Sequence, residues 1–580
     1  MSAARPRRSG YDARVARARH IGAAVAVALA LGGACRGPGV VSIGTTIFRP
    51  ETTIYLSPKG DDENCCATGH APWKTFGKAL AYVKPGWTIM LEDGTYDATT
   101  TGLLNVVCTA GAPTSSPNAV PAPSGTADNM RITVAAQHPR QAFLAGDGSS
   151  PPLTIDACQY WSFEGLHVEA KDSRPADLTT ALTTFNGGDF GSVIVVGFGN
   201  ADVTFDDMLV RHPNRWVQSR LLHIRDASNN VSVTESEFYD FHGNAIEASR
   251  TGALQLLRNY VNSRDTPDYP DAAAYHSEAP QIGDYGILLE ETSQSLVANN
   301  VVEGINDGMA LVGRSSTAVV APNGVTGNID TNKILGNIVY QPLLFGVRID
   351  SSCWSSDGKT PQNPCADDFH IIKGTVLEND VVIGGDEGIS SAGAVMTTFD
   401  QITVINAANG VIIRKEPQNV GVMSTSRTTN SLVANFQAVA FDSENETTAS
   451  FDHCATSGGY TPNSNMEDYV PGGDFVTNAL TAPSPLGPCL VYLSSTSPLA
   501  SAGIGASGIP VAVGANVVYR YEPDGSLSST PLWTSAGFPC GEPVAVSDAD
   551  GGAPVVINPD CANVAAQHLN VASMGCASPY

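Results

Sequence analysis

Ser236-Glu237-Phe238-Tyr239, Asn259-Tyr260-Val261-Asn262, Asn300-Val301-Val302-Glu303 and Asn337-Ile338-Val339-Tyr340 are one phrase repeated: a small polar residue followed by a β-branched or aromatic strand. Asp207-Met208-Leu209-Val210 precedes the series, and Asn379-Asp380-Val381-Val382 and Asn435-Phe436-Gln437-Ala438 extend it. Successive anchors are 29, 23, 41, 37, 42 and 56 residues apart. The shortest interval fits one coil of a solenoid of parallel strands. The longer ones fit a coil carrying an inserted loop, or two coils with one anchor missed. Repetition on this scale decides the architecture. A polar side chain at the same turn of successive coils can hydrogen-bond its counterparts about 4.8 Å above and below, satisfying amides that would otherwise be buried unpaired. Asn259, Asn300, Asn337, Asn379 and Asn435 are therefore expected to form a structural ladder.

Working outward, 580 residues need not mean several domains, because a solenoid grows lengthwise and each repeat packs only on its neighbours. Apolar residues make up 42% of the chain, and 57 glycines with 37 prolines imply many turns. A formal charge of −25, from 57 acidic against 32 basic residues, excludes nucleic acid and an anionic membrane surface as partners. A polyanion could bind only through a local basic patch or bridging Ca²⁺. Residues 1–35 differ in kind: six arginines between Arg5 and Arg19, the apolar run Ile21–Leu31, then Gly32-Gly33-Ala34-Cys35. That is the layout of a secretory signal peptide, with a core too short to span a bilayer. Small residues running into Cys35 are similar to a bacterial lipobox, although Gly32 stands where that motif has Leu. A lipid anchor at Cys35 is one expectation; plain secretion, with Cys35 unmodified or removed, is the other. The chain is expected to be a monomer, secreted or on the outer surface or in the periplasm. Twelve cysteines in an exported chain imply disulfides. Cys353 with Cys365 is the expected pair, with another bridge among Cys540, Cys561 and Cys576, and a different partner for each of Cys65 and Cys66.

Residues 36–51 read as a linker. Tyr55-Leu56-Ser57-Pro58-Lys59-Gly60 then reads as a strand, and Trp73, Phe76, Leu80 and Val83 fall at helical spacing, with Pro72 at the helix start and Pro85-Gly86 at its end. Thr88-Ile89-Met90-Leu91-Glu92-Asp93-Gly94-Thr95-Tyr96 follows as a second strand. This strand–helix–strand opening, leading into the repeats, resembles the N-terminal cap of right-handed parallel β-helix proteins of the pectate-lyase-like fold. That group also houses alginate and chondroitin lyases and polygalacturonases. The resemblance covers residues 52–460 and implies an all-β, right-handed parallel β-helix with an N-terminal helical cap. It also implies that the Asp-, Pro-, Ser- and Gly-rich insertions near 172–190, 264–283, 314–328 and 352–368 wall a groove on one face. Residues 461–580 read as a C-terminal β cap or module with an Asp524-Gly525 hairpin turn.

Strand side chains alternate in and out. Aligning coils on their apolar pairs (Leu222/Ile224, Ile246/Ala248, Ile287/Leu289, Met309/Leu311, Val347/Ile349, Val411/Ile413) leaves an outward column of His223, Glu247, Leu288, Ala310, Arg348 and Ile412. A neighbouring column holds Arg225, Ser249, Glu290, Asp350 and Arg414, with Arg250 beside it. A ladder of solvated charges would look the same. Two chemistries could use such a patch. A polyuronate lyase needs a base for the proton α to a carboxylate and a cation for the enolate-like intermediate; His223, Arg225, Arg250 and Arg348 are candidates, and Ca²⁺ could replace the arginine. A glycoside hydrolase needs two carboxyls, and Glu247 with Glu290, about 8 Å apart by register, would favour inversion. Polygalacturonase motifs are present only as fragments (His242-Gly243, Arg348-Ile349-Asp350), without Asn-Thr-Asp. Asp265, Asp268, Asp271 and Asp284, with His276 among them, are the candidate Ca²⁺ ligands, although a hydrated acidic loop would read the same. The expected partner is an acidic or cell-surface glycan. The competing class is a non-catalytic β-helix surface protein that binds glycans or acts as a rigid spacer.

Overall fold

The computed structural model describes residues 42–43, 46–47, 52–64, 67–171, 191–213, 218–263, 283–313, 329–351, 371–414, 424–444 and 447–457, together with short C-terminal pieces between 503 and 557. Residues 1–50 form a unit of their own, in which Ser42–Ile43 pairs antiparallel with Thr46–Ile47. The expected signal segment and Cys35 lie outside the described residues.

From Thr53 onward the chain winds through three long parallel sheets of 12, 13 and 12 strands. One coil shows the path: Gln218–Arg225 lies in sheet I, Asn229–Thr234 in sheet II and Glu237–Tyr239 in sheet III. His242–Ser249 then returns to sheet I beside Gln218–Arg225. This is a right-handed parallel β-helix. The inward columns read from the sequence form its core: Ile224, Ile246, Ala248, Leu311, Val347, Ile349, Val411 and Ile413 are fully buried. Burying a Leu, Ile or Val contributes roughly 1.5–3 kcal/mol, and repetition along the axis is what offsets the entropy of ordering so many short strands.

A second repeat runs through sheet I: Tyr285-Gly286-Ile287, Asp307-Gly308-Met309, Phe345-Gly346-Val347, Glu387-Gly388-Ile389 and Asn409-Gly410-Val411. A Cβ on Gly346 would stand 2.3 Å from Val382 Cγ1 and 2.5 Å from the Gly388 carbonyl oxygen. The glycines mark where a sheet I strand starts against the valines of sheet III.

The ladder differs in part from expectation. The Oδ1 of Asn300 accepts the Asn259 backbone N–H and Nδ2, at 2.9 and 3.0 Å, and Asn337 does the same for Asn300, at 2.9 and 2.9 Å. The next rung is Asp380, not Asn379: its Oδ1 accepts from Asn337 N at 2.7 Å and Nδ2 at 2.9 Å. Register decides this, because Ile338 pairs with Val381. Asn379 sits one step earlier at φ 62°, and Asn435 lies past its sheet III strand at φ 53°. Both serve left-handed turn positions, which Asn tolerates. The anchor intervals resolve accordingly. Those from Asn259 to Asn379 are single coils with insertions, whereas Asn379 to Asn435 spans two coils, since Val381 pairs with Thr403 and Thr403 with Leu432.

Near the N-terminus helix α1 (Phe76–Tyr82) buries Phe76, Ala79 and Leu80. It starts later than the spacing predicts. The Asp62 carboxylate accepts from Lys74 N, Thr75 N and Thr75 Oγ1, which holds the segment after Pro72 extended, and Thr75 then caps the helix by accepting from Lys78 N. Cys108 and Cys158 form a disulfide between neighbouring coils, a pair the spacing did not single out. Cys353, Cys365, Cys540, Cys561, Cys576, Cys65 and Cys66 lie outside the described residues. The Asp524-Gly525 turn forms, with Gly525 N donating to the Glu522 carbonyl. Just before it, Tyr521 packs into an outer cluster on sheet II with Leu257, Leu296, Ala298 and Leu335.

Candidate functional site

The outward columns on sheet I fall as aligned from the sequence. His223 pairs with Glu247, Glu247 with Leu288, Leu288 with Ala310 and Ala310 with Arg348. One strand, Glu387–Ala392, had been passed over, so Ser390 stands between Arg348 and Ile412. Arg225 pairs with Ser249, Ser249 with Glu290, and Val312 with Asp350.

Around His223 the geometry is tight. The Glu247 carboxylate is almost wholly buried: Oε2 accepts Arg220 Nε and Asn244 Nδ2, both at 2.5 Å, while Oε1 faces His223 Nε2 at 3.6 Å and Ser249 Oγ at 3.4 Å. Burial pushes the Glu247 carboxyl up, but His223, the Arg220 guanidinium and the Asn244 amide outweigh it and hold it below the usual carboxylate range. Burial lowers the His223 imidazole to about 4, with Arg220, Arg225 and Arg250 pushing the same way against the pull of Glu247. His223 is therefore a neutral base in the physiological range, on a face that carries three guanidiniums. At the end of its strand Arg250 Nη2 meets Asp226 Oδ1 at 2.7 Å, Arg225 Nε lies 3.5 Å from Asp226 Oδ2, and Arg225 lies over the Phe198 ring.

Arg348 and Asp350 are not part of that cluster. Three coils separate Arg348 from Glu247, roughly 14 Å at about 4.8 Å per coil, and the columns between them carry Leu288, Ala310 and Val312, a buried apolar group of its own. Arg348 instead binds Asp350 Oδ2 at 2.5 Å and faces Asp307 Oδ2 at 3.7 Å. Burial raises Asp307 to about 7, with Asp284 adding to the rise and Arg348 opposing it. His223, Glu247 and Arg348, candidates for one patch in the sequence, do not converge: the face carries two clusters.

No family model matches the chain, and no curated protein matches it either. Solved structures do resemble it. Pectate lyase Pel9A is 16% identical, covering 80% of this chain and 96% of its own, with a TM-score of 0.38. The A-module of the Azotobacter vinelandii mannuronan C-5 epimerase AlgE6 is 15% identical, covering 65% and 88%, at 0.42. A rhamnogalacturonan lyase is 12% identical, covering 77% and 95%, at 0.42. At such values the likeness carries no argument about chemistry, which rests on the side chains.

Those side chains include three that the outward columns did not contain. Arg220, Asn244 and Asp307 belong to a third column, Arg220–Asn244–Tyr285–Asp307–Phe345–Glu387, which is third in the strands Gln218–Arg225 and His242–Ser249 and first in the sheet I strands from Tyr285 onward. For Asp307 the signal was legible, since from Tyr285 onward this column is the residue before the repeated glycine; Arg220 and Asn244 carry no such mark. Of the candidate Ca²⁺ ligands, Asp265, Asp268 and Asp271 lie outside the described residues. Asp284 is described and stands near Asp307. No group of three or more His, Cys, Asp or Glu placed to hold a metal occurs among the described residues. Glu247 and Glu290 keep the expected offset of one coil and two residues. Glu247 is shifted the wrong way for a general acid, which has to hold its proton near neutrality.

Proposed function

We propose that the chain is an exported carbohydrate-active β-helix protein that cleaves an acidic polysaccharide by β-elimination at His223. One observation supports it above the rest: the His223 ring stands 3.6 Å from the Glu247 carboxylate with Arg220, Arg225 and Arg250 acting on it, an arrangement in which the guanidiniums have to offset the low basicity of the ring by acidifying the α-proton. A neutral imidazole can take the proton α to a uronate carboxylate, and the guanidiniums stabilise the charge that develops on that carboxylate. The pair of electrons from the C–H bond forms the new double bond, the bond to the glycosidic oxygen on the β carbon breaks, and that oxygen leaves as an alcohol after protonation from water. Arg225 and Arg250 are the carboxylate-binding candidates, because Asp226, their shared partner, sits at the turn and a substrate carboxylate could replace it. Ca²⁺ could act as an additional bridge to the polyanion, held by the acidic insertion around Asp265, Asp268, Asp271 and Asp284. No helix among the described residues is long and apolar enough to cross a membrane. Export, by plain secretion or with a lipid anchor at Cys35, rests on the N-terminal sequence.

The test is a panel of polyuronates incubated with the full chain, with and without chelator, reading the ultraviolet absorbance of the unsaturated product and the new reducing ends. The His223→Gln chain should lose at least about 10²-fold in rate, the usual contribution of a positioned base. No product on any substrate would remove the catalytic reading. A second reading, a non-catalytic glycan-binding protein or rigid spacer, is favoured by the way Glu247 and Arg348 are already satisfied by neighbours. It predicts binding without turnover, and no effect of His223→Gln on that binding. New reducing ends without an unsaturated product would point to hydrolysis instead.

A further inference from the structure

We propose that Glu247 is a positioning residue, clamped by Arg220 and Asn244 so that it holds His223 as the Nε2–H tautomer and leaves Nδ1 as the basic atom. This rests on the β-elimination reading for its role, but not for its test. A neutral imidazole carries one N–H and one lone pair. Nε2 is the nitrogen that faces Glu247, 3.6 Å from Oε1. A lone pair there would be repelled by the carboxylate, whereas an N–H is attracted to it. At 3.6 Å the contact is electrostatic, longer than a hydrogen bond, and a small ring rotation would close it.

The clamp is what makes Glu247 a reference point. Arg220 and Asn244 occupy paired positions on adjacent coils, and both donate to Oε2, so the carboxylate is fixed from one side. Ser249 Oγ reaches Oε1 from the other side, 3.4 Å away. Held below the usual carboxylate range against the effect of burial, Glu247 stays ionised while His223 is neutral. Among the described residues, the charged groups that act most on the ring are Glu247, Arg220, Arg225 and Arg250. When Nδ1 takes the substrate proton, the imidazolium that forms stands beside an ion of opposite sign and needs no rearrangement. This arrangement separates the roles: His223 reacts, Glu247 orients it and stabilises its charged form, and Arg220 with Asn244 hold Glu247 in place.

The experiment reads the tautomer directly. The full chain is labelled with ¹⁵N in its histidine rings and long-range ¹H–¹⁵N correlations are recorded across a pH series, His223 being identified by the signal lost in the His223→Gln chain. Nε2–H should dominate by about tenfold, the size expected once the small ring rotation closes the contact into a hydrogen bond to a charged acceptor, and the ring should titrate at about 4. Glu247→Gln should bring the two tautomers toward parity and move the titration lower still, because the carboxylate is the group that raises it. Asn244→Ala keeps the charge and loosens one side of the clamp; it should weaken the bias several-fold, and it carries the test if Glu247→Gln does not fold. A dominant Nδ1–H form in the native chain, or an unchanged tautomer ratio in folded variants, would overturn the proposal. None of these readouts needs turnover. A chain that cleaves no polyuronate but shows the Nε2–H bias keeps the clamp and loses the enzyme; turnover with the opposite tautomer does the reverse.

Discussion

Replacing Asp380 by Asn should stabilise the ladder, and by more at each step up in pH. Asp380 is completely buried; its Oδ1 takes both donors of Asn337, while Oδ2 has no partner among the described residues. Burial raises the carboxyl well above its ordinary value, against the Asn337 hydrogen bonds and with Glu378 adding to the rise. The charged neighbours in this region are Glu378, Asp400 and Lys333, with the Tyr521 hydroxyl on Glu378. Neutral Asp is nearly the shape of Asn. By analogy with the rungs below, where the Nδ2 groups of Asn259, Asn300 and Asn337 donate to the carbonyls of Val233, Leu256 and Val297, the acceptor expected for its proton is the carbonyl of Ile334, next in that column. The sign follows from linkage. The folded-state value lies above the unfolded one, so between the two the folded chain holds a proton that the unfolded chain has released. Stability is then highest below the unfolded value of about 4 and falls by about 1.4 kcal/mol per pH unit above it, until the folded carboxyl itself ionises. Asn carries its donor at every pH, so the advantage of Asp380→Asn should grow from near zero at about pH 4, by up to about tenfold in local opening per pH unit, until the folded carboxyl itself ionises. Solenoids open in parts, so the assay is hydrogen exchange at the Asn337 amide, whose N–H donates to Asp380, in both chains at matched pH. A difference that stays flat with pH, or a wild-type chain better protected at pH 7, would refute the neutral-acid rung.

Gly346→Ala should destabilise by about 1–3 kcal/mol through overpacking against Val382 and the Gly388 carbonyl; an unchanged denaturation midpoint would mean that sheets I and III yield more easily than the spacing implies. Cys158→Ser opens the bridge to Cys108 across a separation of 50 residues and should cost about 2–4 kcal/mol, read as faster exchange in the strands Leu104–Val107 and Leu153–Asp156. Removing the Arg348 guanidinium with Arg348→Met should drive Asp307 above its value of about 7, since Arg348, ahead of the Phe345 backbone N–H, is the largest influence holding it down. Carbon NMR of labelled aspartates across pH reads this, and an Asp307 titration that stays in place would show that the 3.7 Å pair carries no coupling.

Most of the fold was open to the sequence because a solenoid writes its core as period: Leu222/Ile224 through Val411/Ile413 could be aligned without any knowledge of three dimensions, and the observed register agrees. Errors arose where one chemical rule was given too much reach. Asn379 and Asn435 were read as rungs because they are asparagine, but register assigns the rung to Asp380, a residue type that charge chemistry would place on the surface. The start of α1 was read from apolar spacing, and Asp62, more than ten positions earlier, decided it by capturing the backbone of Lys74 and Thr75. The site was half legible for a related reason. His223, Glu247 and Arg225 lie on regular strand positions and follow alternation. Arg220 and Asn244 lie where the strands begin irregularly, Arg220 pairing with Asn244 and Leu222 with Ile246, so period-two counting steps over them.

The two clusters on sheet I also constrain how any polymer could use this face. A chain of sugars lying along the helix axis would meet the His223 cluster and, roughly 14 Å further on, the Asp307–Arg348–Asp350 cluster, with Leu288, Ala310 and Val312 between them. The clusters differ in kind. The first has three guanidiniums against Glu247 and Asp226, with the imidazole neutral, so an added carboxylate is balanced there. The second has one guanidinium against Asp350 and Asp307, with Asp284 close enough to act on Asp307, which is half-ionised near pH 7, so it is net negative already and grows more negative as pH rises. An anionic substrate is therefore drawn to the first cluster, and is repelled at the second more strongly as Asp307 loses its proton. If a polyuronate spans both, its affinity should fall as pH rises through about 7, and Asp307→Asn should remove that fall without touching the chemistry at His223. Affinity that is flat across this range in both chains would confine the bound polymer to the coils around His223.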